Sequence, residues 1–252
     1  MTIQSDIRAL VLAGGKGTRL APYTTVLPKP LMPIGDVPIL EVVLRQLAQY
    51  GFSHITLAVG HLAELLMAFC GDGTRFGVSL GYSREESPLG TAGPMALVGN
   101  LRNTFLVMNG DVLTNLDYAR MLCAHRESGA IATVAAFDRT VKIDLGVLEI
   151  AHNSAVTSYI EKPTLHHSVS MGIYFFEPAA LRYVTAGQRM DLPDLILALL
   201  EGGECVMAYK HTGYWLDIGR PDDYAAAVEE FERHREDFLP IPSATGSMRR
   251  SS

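Results

Sequence analysis

The feature that most constrains this chain is an alternation of two kinds of segment. "RALVLAG" (8–14), "HITLAVG" (54–60), "VSLGYS" (78–83), "TFLVMNG" (104–110) and "IATVAAF" (131–137) are short apolar runs, and stretches with helical spacing separate them. Short continuous apolar runs fit strands buried on both faces, and their alternation with helices builds βαβ units on a parallel sheet. Between Pro38 and Gly51, Ile39, Leu40, Val43, Leu44 and Leu47 share one helical face, with proline at the entry and glycine just past the exit. The same spacing predicts helices over 61–70, 91–101, 116–128, 193–200 and 221–235. From Ile143 to Phe176 the pattern changes to strand, turn and strand, carried by "LGVLEI", "AVTSYIEK" and "VSMGIYFF". The expected fold is α/β, Rossmann-like and doubly wound, a mostly parallel sheet with an antiparallel β addition.

A length of 252 residues and a hydrophobic content of 48% are enough for one large core, so residues 1–239 read as a single domain. The end, "PIPSATGSMRRSS", reads as a flexible tail over 240–252. A net charge of -6 argues against a nucleic-acid or membrane-surface protein, both of which need a basic face. Any anion must therefore meet local positive charge. Cys70, Cys123 and Cys205 are odd in number and far apart, and "MTIQSDIRALVLAGG" lacks the basic start and apolar stretch of a secretory signal. No apolar segment approaches the ~20 residues of a membrane span. The expectation is a cytoplasmic protein with idle or buried thiols.

Local positive charge sits in "LAGGKGTRLAPYTTVLPKPL" (12–31), directly after the first expected strand. Its glycines nearly match a dinucleotide fingerprint, but the third would fall on Leu20, and Pro22, Pro28, Pro30 and Pro33 prevent the helix that should follow. Nor does it fit a P-loop, which ends in Gly-Lys-Ser/Thr. An extended glycine loop at the carboxyl end of a strand remains. Gly14, Gly15 and Gly17 let backbone N–H groups approach phosphate oxygens, and Arg19 and Lys29 supply full charge.

Further motifs follow in order: "LGTAG" (89–93), "NGDV" (109–112), "LGVLE" (145–149), "EKP" (161–163), "MGIYFF" (171–176) and "GYWLDIGRPDDY" (213–224). With "LAGGKGTRL" and "PKP", they resemble the sugar-1-phosphate nucleotidylyltransferases over nearly the whole chain. The resemblance implies transfer of a nucleotidyl group from a nucleoside triphosphate to a sugar 1-phosphate, releasing pyrophosphate. It also implies that the antiparallel addition forms the sugar site. The sequence ends soon after the last motif, so the expectation is no appended β-helix and no acetyltransferase activity.

Such a transfer needs positioning and charge neutralisation rather than a protein nucleophile, because one polyanion attacks another in line. By resemblance, Arg19 spans the triphosphate and Lys29 neutralises phosphate between the substrates. Leu12, Ala13, Gly14, Gly15, Gly17, Thr18, Glu85, Gly90 and Thr91 form the nucleotide side. Asn109, Gly146, Glu161, Lys162 and Ser170 form the sugar-phosphate side, with Lys162 gripping the phosphate and Glu161 accepting from sugar hydroxyls. Asp111 after a buried strand and Asp217 inside an apolar run read equally as turn or cap residues. Two carboxylates plus substrate phosphates are nevertheless how Mg²⁺ is commonly held, and the family uses both positions so.

The base is read from Glu85, where relatives that use uracil or thymine nucleotides carry glutamine. A carboxylate only accepts, and guanine offers two adjacent donors, N1–H and N2–H₂. GTP is therefore expected first, CTP second, UTP or dTTP after them; a solvated loop Glu85 is the plain alternative. Ser170 stands where many relatives carry asparagine, which leaves a hexose, a heptose or a cyclitol 1-phosphate open. Mannose 1-phosphate comes first from the resemblance to mannose- and heptose-phosphate guanylyltransferases. A homo-oligomer is left open. The family also contains inert regulatory subunits that bind nucleotide-sugars, but Arg19, Lys29, Asp111 and Asp217 are all retained. His166 and His167 read as loop histidines, Trp215 as core packing, Met171 and Met190 as filler, and "EEFERHRED" as a solvated helix face.

Overall fold

The computed structural model describes residues 7–85 and 87–239; the expected tail over 240–252 lies outside them. In chain order the elements are β1 (Arg8–Leu12), β2 (Pro33–Ile34), β3 (Val37–Pro38), α1 (Ile39–Tyr50), β4 (His54–Val59), α2 (Ala63–Cys70) and β5 (Ser79–Arg84). There follow β6 (Phe105–Asn109), β7 (Val112–Thr114), α3 (Tyr118–Ser128), β8 (Ala132–Lys142), β9 (Val147–Ile150), β10 (Val156–Ile160) and β11 (Thr164–Phe176). The last are α4 (Leu192–Glu201), β12 (Val206–His211), β13 (Trp215–Asp217), α5 (Pro221–Arg233) and α6 (Arg235–Phe238).

The central sheet runs β12-β8-β11-β6-β1-β4-β5. β1 is parallel to β4 and β6, β4 to β5, and β12 to β8, whereas β11 is antiparallel to both β6 and β8. The mostly parallel α/β sheet with an antiparallel addition is thus realised. Alternate residues of β1 show why both faces carry helices. Ala9 and Val11 pack with Leu40, Val43, Leu44 and Leu47 of α1, while Leu10 joins Leu195 and Leu199 of α4 on the other face. Burying each such Leu or Val contributes roughly 1.5–3 kcal/mol relative to leaving it in water. A third cluster seats α5 and α6 through Phe231 and Phe238 against Leu20, Ile34 and Leu113.

Register brings the working end into line. Leu12 of β1 pairs with Ala58 of β4 and Asn109 of β6, so the carboxyl ends of three adjacent strands are level. β8 and β11 run on past this edge, pairing Lys142 with Thr164, and the β9–β10 hairpin sits at their far end. Their register shifts between Ser170 and Tyr174, where Gly172 has φ +73°. A Cβ on Gly172 would come 2.5 Å from Nδ2 of Asn109, so the bulge needs glycine to let this amide lie against β11.

Three local expectations change. The helix predicted over 91–101 is only a 3₁₀ turn, Gly93–Leu97. Its entry is bent by Gly90 at φ +78°, and the N–H groups of Ala92 and Gly93 donate to the Met190 carbonyl instead of propagating a helix. The helix predicted from 61 begins at Ala63, because Leu62 takes a left-handed φ of 55°. His166 and His167 lie within β11 and not in a loop, and the His166 ring bonds the Thr140 hydroxyl. Trp215 packs on Phe137 and donates its indole N–H to the Met171 carbonyl at 3.0 Å. Cys70 is buried, its thiol pushed up to about 11 by desolvation, and Cys123 and Cys205 are free and exposed. No helix among the described residues is long and apolar enough to cross a membrane.

Candidate active site

A cavity of about 430 Å³ opens at the level ends of β1, β4 and β6. Its wall holds Leu12, Ala13, Gly14, Gly15, Gly17, Thr18, Arg19, Lys29, Glu85, Gly90, Thr91, Asn109, Asp111 and Asp217, all of them singled out from sequence. The glycine loop is shaped for this. Gly17 stands at φ +61°, where a Cβ would meet Thr24 at 2.9 Å, and the Thr24 hydroxyl donates to the Gly17 carbonyl at 2.8 Å. Gly15 has open space where a side chain would stand, leaving its backbone bare to the cavity. A 3₁₀ turn, Thr18–Leu20, then presents Arg19 outward while Leu20 anchors in the core.

Lys29 is buried and forms an ion pair with Asp111, which follows β6. Asp217 ends β13, held beside β7 by antiparallel pairing of Asp217 with Val112. Its side chain is exposed and lines the cavity. Desolvation pushes its pKa above the ordinary 3.8 and the Asp111 charge adds to this, while Lys29 and Arg19 pull it down. Two carboxylates that repel each other at the mouth of an anion-shaped cavity have the donor chemistry of a hard divalent cation site whose remaining ligands come from elsewhere. Among the described residues no three His, Cys, Asp or Glu side chains gather closely enough to hold a metal alone.

Glu85 leaves β5 with its backbone N–H on the Val59 carbonyl, which turns its side chain into the cavity. One carboxylate oxygen accepts from Leu89 N–H at 2.8 Å; the other lies beside Gly14, where a Cβ would stand 3.2 Å from it. Desolvation raises this carboxyl above its ordinary 4.5, and the Leu89 N–H opposes the rise. The Gly90–Thr91 strip is pinned from a distance. Asp191 accepts from Thr91 N–H at 3.1 Å, and the Thr91 hydroxyl accepts from Leu192 N–H at 2.7 Å.

A neighbouring cavity of about 290 Å³ shares Thr91, Asn109 and Asp217 with the first and adds Ser170, Met171, Gly172 and Trp215. The Ser170 hydroxyl is within 2.8 Å of the Tyr174 hydroxyl. Gly146, Glu161 and Lys162 are not brought to either cavity. They lie at the hairpin, where Glu161 accepts from Tyr159 at 2.7 Å and Gly146 packs against the same phenol. Lys162 takes a left-handed φ of 46° at the turn into β11.

Sequence reasoning did not assign Pro30, Ala58, Pro88 or Arg189 to the first cavity, which all four line. Arg189 pairs with Asp191 at 2.8 Å, and Met190 N–H bonds the Leu89 carbonyl, so tertiary pairing brings the arginine to the Gly90 strip. The one local signal near it is Asp191, which stands ahead of the helix and closes a capping box with Asp194.

A family model described as nucleotidyl transferase matches residues 8–234. A UTP–glucose-1-phosphate uridylyltransferase of Synechocystis is 37% identical over 244 residues, covering 88% of this chain and 62% of that protein. A mannose-1-phosphate guanylyltransferase of Mycobacterium tuberculosis is 34% identical over 249 residues, covering 96% and 68%. The chain thus spans somewhat under or about two thirds of these relatives' length. A solved Bacillus anthracis structure described as a glucose-1-phosphate thymidylyltransferase shares the fold at a TM-score of 0.72 and 24% identity, covering 93% of this chain and 96% of that one. HddC from Yersinia pseudotuberculosis does so at a TM-score of 0.69 and 24% identity, covering 89% and 99%.

Proposed function

The chain belongs to the nucleotidyl transferase family, and from that premise we propose that it transfers a nucleotidyl group, guanylyl by preference, from a nucleoside triphosphate to a sugar 1-phosphate. The observation that carries this reading is the first cavity, where a bare glycine loop, the cations Arg19, Lys29 and Arg189 and the carboxylates Glu85, Asp111 and Asp217 meet at the ends of three strands. A phosphate oxygen of the sugar 1-phosphate attacks the α-phosphorus, the bond to the β-phosphate oxygen breaks, and pyrophosphate leaves with the electron pair. No covalent enzyme intermediate is needed.

The protein's part is to hold two polyanions together against their repulsion. Backbone N–H groups of the glycine loop and the Arg19 guanidinium take the triphosphate. Lys29 offsets charge where the substrates meet. Asn109 and Ser170, facing the second cavity, take the acceptor, a hexose, heptose or cyclitol 1-phosphate. Asp111 and Asp217 would hold Mg²⁺, which when bound supplies further charge neutralisation for the phosphates.

Preference for GTP rests on Glu85, whose cavity-facing carboxylate is an acceptor for the N1–H and N2–H₂ of guanine and repels the carbonyls of uracil or thymine. The relatives above include users of both UTP and a guanylyl donor, so side-chain chemistry and not kinship favours this base. The test is pyrophosphate release by the purified chain with GTP, CTP, UTP and dTTP, each against a panel of sugar 1-phosphates and a cyclitol 1-phosphate. Release with GTP and at least one acceptor is the expected result. Silence with every pair, together with nucleotide-sugar binding by calorimetry, would replace the enzyme by a regulatory binding subunit.

A further inference from the structure

A third cavity, of about 390 Å³, adjoins the first and is lined by Arg19, Phe137, Arg139, Trp215, Leu216, Asp217, Arg220 and Asp223. Three arginines line it from separate elements: Arg19 from the turn after the glycine loop, Arg139 from β8, and Arg220 from the position preceding α5. Among the described residues none of the three forms an ion pair. Arg45, Arg84, Arg120, Arg182, Arg189, Arg233 and Arg235 are each paired with a carboxylate, while Arg8, Arg75, Arg102 and Arg126 also lack an ion pair among the described residues; what sets Arg19, Arg139 and Arg220 apart is that they line one cavity. Unpaired arginines gathered on one hollow beside a phosphate cavity call for an anion.

We propose that this third cavity seats the leaving pyrophosphate, with Arg139 and Arg220 as binding residues beside Arg19; the proposal rests on the transfer reaction above. Of the two phosphate groups that could occupy it, the separate junctions of the side cavities with the first favour the leaving one. The Ser170 cavity joins the first at Thr91 and Asn109 and the arginine cavity joins it at Arg19, while Trp215 and Asp217 line both side cavities. An in-line displacement puts attacker and leaving group on opposite sides of the α-phosphorus. If the acceptor enters on the Ser170 side, pyrophosphate departs on the Arg19 side. Asp217 and Asp223, the carboxylates that also line the cavity, suit an anion that travels with a divalent cation, as pyrophosphate does.

Arg139 and Arg220 have exposed side chains, so Arg139→Ala and Arg220→Ala leave the core untouched, and thermal unfolding checks this. Two measurements read the proposal: calorimetric binding of inorganic pyrophosphate, with and without Mg²⁺, and initial rates in both directions. Losing one charge-assisted contact should raise the dissociation constant and the KM for pyrophosphate about tenfold per variant. The KM for the sugar 1-phosphate should move by less than about twofold, the usual spread for uncoupled sites. Arg220→Lys and Arg139→Lys should recover part of the loss, since charge stays while the fork is lost. Unchanged pyrophosphate binding, or a rise confined to the sugar 1-phosphate, overturns the assignment. A wild-type chain that releases no pyrophosphate with any pair overturns the transfer reading instead, and calorimetry with pyrophosphate still reports on the cavity.

Discussion

Replacing Glu85 by glutamine changes one oxygen for an NH₂ group and nothing else, so its effect on base choice can be worked from the site. One carboxylate oxygen already accepts from Leu89 N–H at 2.8 Å. The glutamine carbonyl inherits that bond, since only it can accept, and the amide NH₂ is left where the second oxygen lay beside Gly14. On the proposed reading that second position faces the base. For guanine the change sets donor against donor: a hydrogen bond to a charged group, about 1.5–3 kcal/mol, is lost. At about 1.4 kcal/mol per tenfold, kcat/KM for GTP should drop on the order of ten- to a hundredfold. Uracil and thymine, with a carbonyl beside N3–H, gain a donor where they met a repelling charge, so UTP and dTTP should rise. The assay is kcat/KM for all four triphosphates with one fixed acceptor. Because burial lifts the Glu85 carboxyl above the ordinary range, the wild-type GTP preference should weaken as pH falls, and the glutamine variant should show no such trend. A wild type that prefers UTP or dTTP, or a variant with the same base ranking, would refute the reasoning.

Asp111→Ala and Asp217→Asn should each abolish Mg²⁺-supported turnover; full turnover by either, measured as pyrophosphate release, ends the divalent-cation reading. Gly90→Ala forces a Cβ against the Met190 carbonyl at φ +78°, a strain costing roughly 1–3 kcal/mol. Lower thermal stability together with weaker triphosphate binding is expected, and a neutral variant would show that the strip is not held as described. His125 is fully buried, bonded to Thr133 and Glu177, and desolvation lowers its pKa below the ordinary 6.5 against the raising pull of Glu177. The unfolded chain therefore takes up this proton first as pH falls. The contribution is complete above about pH 6.5 and is lost below it, at no more than about 1.4 kcal/mol per pH unit. Denaturant unfolding from pH 7.5 to 5 should show a shallower acid loss for His125→Gln, and equal slopes would remove His125 as the cause.

What was legible in the sequence is what local pattern encodes. The strand runs, α1 with its glycine exit, and the glycine loop each carry their signal within a dozen or so residues, and all lie where the spacing put them. The helix expected over 91–101 failed because its N–H groups are claimed by Met190, a residue almost a hundred positions away. The same distance hid Arg189, which reaches the cavity through pairing of 190 with Leu89 and through Asp191. Arg139 is an exposed strand residue outside every motif, and Arg220 lies inside "GYWLDIGRPDDY" just ahead of a helix, where nothing in the spacing sets it apart as a binding residue. Gly146, Glu161 and Lys162 present the opposite case, a clear motif whose side chains stand on the hairpin at the far end of β8 and β11, away from both main cavities. Motifs name residue types at a spacing, while the long strands decide where those residues stand.

The Lys29–Asp111 pair bears on how such a site is filled. The buried Lys29 ammonium and the partly buried Asp111 carboxylate satisfy each other, so neither stands as a lone charge withdrawn from water. On the proposed reading, a triphosphate drawing on Lys29 would leave Asp111 uncompensated beside Asp217, whose pKa the Asp111 charge already raises. That cost disappears only if a positive charge arrives with the phosphates. A triphosphate carrying its own divalent cation exchanges partners for both members of the pair at once: phosphate for Lys29, cation for the two carboxylates. A bare triphosphate meets two repelling carboxylates. On that reading the Lys29–Asp111 pair and Asp217 would select for the metal-bound form of the substrate, through residues that β6, β13 and the 3₁₀ turn at Lys29–Leu31 hold in place.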